Sequence, residues 1–88
     1  MSSVGMDIQA VRQLAKVLAA KADEIEGIAN ALTHQLGNVD WKGGDADRFR
    51  GEWNSGHRSQ LLHVASSLRD TSSVANRNAT EQEQVSSH

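Results

Sequence analysis

The sequence predicts an all-α protein, an antiparallel helix-turn-helix hairpin, on three observations. One residue class returns every seven positions at Val4, Val11, Leu18, Ile25, Leu32 and Val39, with Ile8, Ala15, Ala22, Ala29 and Leu36 four places behind. That is a heptad seam of helical character. A second helical stripe follows the adjacent Gly43 and Gly44, and no segment alternates with the period of two that a strand requires.

Residues 1–6 read as a flexible N-terminal segment, because the helical pattern finds its first capping side chain at Asp7. The first helix runs from there to Gly37 and Asn38, two residues suited to the positive φ that commonly ends a helix. Its three alanines one heptad apart suggest close packing, since a small side chain lets a neighbouring backbone approach. Leu14, Val17 and Ile28 widen the apolar face beyond what one neighbouring helix covers.

The bend occupies about residues 38–44. A connection of that length cannot carry the chain back along a rod of about 45 Å, so the second helix must return antiparallel. That helix opens with Asp45 as a cap and Asp47 in its first turn, and its stripe is Ala46, Phe49, Trp53, Leu61, Val64 and Leu68, with Leu62 beside it. Gly51 and Gly56 each cost about 1 kcal/mol of helix propensity relative to Ala. The hairpin therefore spans residues 7–75, and the polar stretch 76–88 reads as a frayed helix end and flexible tail.

Composition explains why a hairpin alone is incomplete. Leu, Ile, Val and Phe number 18 of 88 residues, and 11 more of the apolar residues are alanines that bury little area. A formal charge of −2 gives no self-repulsion to keep the chain open. A partner surface must complete so thin a core, and two hairpins paired through their leftover faces make a four-helix bundle dimer. The residues assigned to the hairpin or dimer seam are Val11, Leu14, Ala15, Leu18, Ala22, Ile25, Ile28, Ala29, Leu32, Leu36, Leu61, Val64 and Leu68. Lys16, Lys21, Asp23, Glu24 and Glu26 form a solvated face, some of whose charges can select the partner through flanking ion pairs.

In the bend stands Trp41-Lys42-Gly43, followed by Ala46, Phe49 and Trp53. Trp41 offers a large apolar surface able to cover the open end of the hairpin, and Gly43 permits a tight turn. A Trp-X-Gly in the bend of a hairpin of this length resembles the WXG family of early secretory antigen type (Esx) proteins, substrates of type VII secretion. The resemblance covers the helix–bend–helix–tail plan of the whole chain. It implies Trp41 and Gly43 as the bend motif, Ala46, Phe49 and Trp53 as its packing, and export as a folded dimer without a cleavable signal peptide to an extracellular or cell-surface location. The family's C-terminal Tyr-x-x-x-Asp/Glu signal is missing, because the chain has no Tyr; Asn76 and Thr80 stand at its two anchor positions. This departure favours a heterodimer whose other subunit carries the signal to the secretion ATPase. A homodimer of the same family and a non-secreted cytoplasmic coiled-coil adaptor are the alternatives.

No chemistry of an enzyme is readable. His57 and His63 are six apart and fall on different helix faces, whereas helical metal ligands stand at i and i+4. Ser59, His63 and Asp70 have the residue types of a triad, yet the last two lie about 10 Å apart along an axis. No cofactor motif occurs, the basic residues are dispersed in a way that gives nucleic acid no footprint, and the longest apolar run, Val17 to Ala20, is too short for a membrane span.

Overall fold

The structure, a computed structural model, describes residues 6–86. The expected flexible segment 1–6 therefore lies, Met6 apart, outside the described residues. Helix α1 runs Ile8–Asn38, α2 Gly44–Glu52, a π-helical turn Trp53–His57, and α3 Arg58–Ser86. The last three form one continuous return arm, packed antiparallel along α1, so the molecule is a helical hairpin with extents of 66 × 17 × 14 Å. No strand occurs among the described residues.

Asp7 caps α1, its side chain accepting a hydrogen bond from the Ala10 amide at 3.0 Å. The other end differs from expectation. Gly43 alone among the described residues has positive φ, so no left-handed residue at Gly37 or Asn38 stops the helix. Instead Val39 goes extended, and Arg50 reaches across from α2 to bind the freed carbonyls. Its Nε donates to Leu36 O at 3.0 Å, Nη2 to Val39 O at 3.1 Å and Nη1 to Trp41 O at 2.6 Å. A guanidinium thus does what a glycine cap does elsewhere.

Gly43, at φ 117°, is the N-cap of α2; Asp45 lies inside the first turn, where it pairs with Arg48 at 3.1 Å. The expected cap at Asp45 is displaced because Gly43 already leaves its carbonyl free to accept from Asp47 N at 3.0 Å. Gly51 and Gly56 do not break the arm, but Gly56 lies in the π turn, closed by the Arg58 amide on Trp53 O. That turn inserts one residue into the repeat, letting both Trp53 before it and Ala65 after it face α1.

The seam itself is alanine. Ala15, Ala22 and Ala29 on α1 and Ala65 and Ala79 on α3 are fully buried, and Ser72 occupies the heptad position between the latter two. Ser72 Oγ donates to Ala15 O at 2.6 Å, a side chain meeting another helix's backbone directly. Such contact is possible because no β-branched or long side chain stands between the axes. Continuation of this seam explains why α3 reaches Ser86 where the sequence suggested fraying after Ala75. Ala79 is buried against α1, and Arg12 Nη2 holds Glu83 Oε1 at 2.9 Å.

Candidate interaction surface

Side chains flanking the alanine seam sort to two sides of the hairpin. At 100° per residue, Leu14, Leu18, Ile25, Ile28 and Leu32 lie on one flank of the α1 seam; Leu61, Val64, Leu68 and Ala75 lie on the matching flank of α3. Because the helices are antiparallel, both flanks open on the same side of the molecule. Leu14 is 52% exposed, Ile28 54%, Leu32 42% and Val64 46%, whereas Val11, Leu18, Ile25, Leu36, Leu61 and Leu68 are half-buried. The thirteen predicted seam residues thus divide into three alanines that join the hairpin, Leu36, which continues their seven-residue register beside Trp53, and nine larger residues that border or form an open apolar face.

The opposite side is closed by polar contacts. Arg69 places its guanidinium bidentate on Glu26, at 2.7 and 2.8 Å, and reaches Asp23 at 2.6 Å. The hydrogen bond from Arg69 holds the Glu26 carboxyl below its ordinary value, and the same pairing holds Arg69 more firmly protonated. Arg12 with Thr80 and Glu83 continues this side toward the N-terminal end of α1. One side of the hairpin is thus sealed, and the other is apolar and open.

At the bend, the two tryptophans differ in burial. Trp41 is 42% exposed, with the Arg50 guanidinium 5.8 Å from its ring centroid. Trp53 is the buried ring, 5% exposed, and its Nε1 donates to Thr33 Oγ1 at 2.9 Å. Its place at the first position of the π turn aims it at α1, whereas Trp41 sits in the connection beyond the end of α1. Ala46 is buried, while Phe49 stays 39% exposed with its ring centroid 6.5 Å from that of His57. A narrow cleft lies between Thr33, Leu36, Gly37, Arg50, Trp53 and Asn54, but Arg50 and Trp53 spend their donors inside the protein.

Sequence reasoning missed Arg50, Thr33, Arg69 and the Ala65–Ser72–Ala79 repeat. The last carried a signal, the same seven-residue spacing as Ala15–Ala22–Ala29; the polar residues carried none that one helix alone could display.

Among the described residues no group of three or more His, Asp or Glu could hold a metal ion, and no helix is long and apolar enough to cross a membrane. No family model, curated protein or solved structure matches the chain.

Proposed function

We propose that this chain is a small non-enzymatic binding protein whose open face packs on a second helical hairpin to make a four-helix bundle, and that it is an Esx-type substrate of type VII secretion. The observation that carries the first part is the contrast between the two sides of the hairpin: ion pairs seal one, while large aliphatic side chains on both helices lie open on the other. A stripe of that width on two adjacent helices is the half of a bundle that two more helices complete. It also answers the shortage of aliphatic residues, since no side chain larger than alanine is fully buried among the described residues.

The export reading rests on the resemblance of the bend, with Trp41-Lys42-Gly43 between two long helices, and on the overall plan. Lacking the Tyr-x-x-x-Asp/Glu tail, the chain would leave the cell with a hairpin partner that bears it, through a type VII system. Co-expression with small hairpin proteins that carry the tail tests this. The chain should accumulate in the medium when such a partner is supplied and remain inside without it. Retention inside the cell whichever partner is supplied would overturn the export reading and leave a cytoplasmic adaptor.

A further inference from the structure

At the bend end of the hairpin the two arms leave a cleft of about 220 Å³ between Thr33, Leu36 and Gly37 of α1 and Arg50, Trp53 and Asn54 of the return arm. At about 30 Å³ for each water in the liquid, that is room for about seven waters or one small organic group. By helical angle Thr33 and Gly37 stand on the flank of α1 that carries Asp23 and Glu26, and Arg50 and Asn54 stand on the flank of the return arm that carries Arg69. The cleft therefore opens on the side of the ion pairs, away from the apolar face.

Neither backbone nor packing calls for the glycine in its wall. Gly37 lies inside α1 without positive φ, and a β-carbon built on it would meet no atom within 4 Å. Glycine is a poor helix former, and what its bare Cα does here is leave the wall open. The charge beside the cleft is also uncancelled. Arg50 spends three of its five N–H donors on neutral carbonyls, and no carboxylate among the described residues pairs with it. Arg58, one turn beyond Asn54, has no ionic partner there either, and its Nε is buried without a hydrogen bond. Two such guanidinium groups, on either side of Asn54, make this stretch of the arm attractive to an anion. The π turn begins at Trp53, and turns of this kind recur at functional sites. It sets the buried indole in the floor, with Nε1 donating to Thr33 Oγ1 at 2.9 Å, while the next residue, Asn54, stands exposed with its side-chain amide unpartnered among the described residues.

We infer that this cleft binds a small monocarboxylate with a short apolar body. The body lies against Trp53 and Leu36, and the carboxylate sits at the rim, where the Arg50 charge and the Asn54 amide N–H groups meet it. A bare oxyanion would leave the apolar floor unused, and a neutral apolar molecule would leave the charge unused. The site goes beyond the bundle reading, because a hairpin packed on the apolar face leaves the cleft uncovered.

The test is a titration of the full chain followed by two-dimensional ¹⁵N NMR at the Trp53 indole N–H and the Asn54 side-chain amide. Isovalerate is the probe, isovaleramide its uncharged isostere and inorganic phosphate the bare oxyanion. Isovalerate should shift both signals saturably with a Kd in the millimolar range or below, and the other two should bind at least about tenfold more weakly. Gly37→Leu should abolish the response by filling the cleft, with a melting temperature equal to or above that of the wild type because the helix loses a glycine. Asn54→Ala, at an exposed position, should weaken binding by about threefold or more. An N-acetyl peptide ending in leucine offers the same groups from a chain terminus and should bind no more tightly than the free acid.

Equal binding of isovaleramide would overturn the carboxylate, and tighter binding of phosphate would overturn the apolar body. Tighter binding of the peptide would overturn the free acid as the source. No saturable shift, or one that neither variant weakens, would overturn the site itself. The pairing of the apolar face is read separately by sedimentation, so failure of one proposal is distinguishable from failure of the other.

Discussion

Arg50 and Trp53 show how single side chains hold the bend. Arg50 gathers three carbonyls of the α1 terminus and the connection, at 2.6 to 3.1 Å, and supports the Trp41 ring. Its removal leaves carbonyls that no amide serves, so Arg50→Ala should cost about 1 to 3 kcal/mol in urea denaturation. Arg50→Lys should recover little of it, because an ammonium cannot present a planar fork to three acceptors. Trp53→Ala should be more damaging, about 3 to 5 kcal/mol, since it empties the volume of a buried indole and removes the donor to Thr33 Oγ1, which keeps only its own bond to Ala29 O. Glu26 gives the pH dependence. Its folded carboxyl is held down chiefly by the hydrogen bond from Arg69, so the native state binds its proton less readily than the unfolded chain. The stabilisation is complete above the usual carboxylate range near pH ~4.3 and fades as pH falls through the lowered folded value. In Glu26→Gln this part of the acid dependence should flatten.

At the scale of elements, the packing of α1 on α3 depends on small residues at heptad positions. Replacing Ala22 by Leu should separate the helices and destabilise by about 1 to 3 kcal/mol, as overpacking does, even though the change adds apolar surface. Leu18→Ala should behave differently. Leu18 is half-buried in the hairpin, so its cost should lie below the about 2 to 5 kcal/mol of a core leucine in the chain alone and rise when the proposed partner hairpin is added. The two helices, their antiparallel course and the bend were legible because a seven-residue repeat and a pair of glycines are local signals. Which member of each heptad is buried was not. Ala15 and Leu18 share a face by spacing, and only the closeness of α3 decides that the smaller one takes the seam. The π turn was hidden for a related reason: its one-residue shift keeps Trp53 and Ala65 both on α1, a demand set by the partner helix. The run of α3 to Ser86 was masked by a polar sequence whose helical state depends on Ala79 against α1 and Glu83 against Arg12.

For the whole molecule, shape and composition point the same way. A hairpin 66 Å long and 17 by 14 Å across has a large surface for its 88 residues, and its fully buried residues are alanines. Hydrophobic stabilisation follows the apolar area removed from water, and much of this chain's larger aliphatic area remains on one side. The proposed pairing would remove it. The folding of the chain and its association would then be one equilibrium, and apparent stability should rise with the concentration of the partner hairpin. The central claim is the proposed one, that the open face is closed by a second helical hairpin. Sedimentation equilibrium of the wild-type protein across the micromolar range, alone and mixed with small hairpin proteins, tests it most directly. The account predicts association of the 9.5 kDa chain with a second hairpin that reverses on dilution; a stable, fully folded monomer that binds no hairpin at any concentration would contradict it.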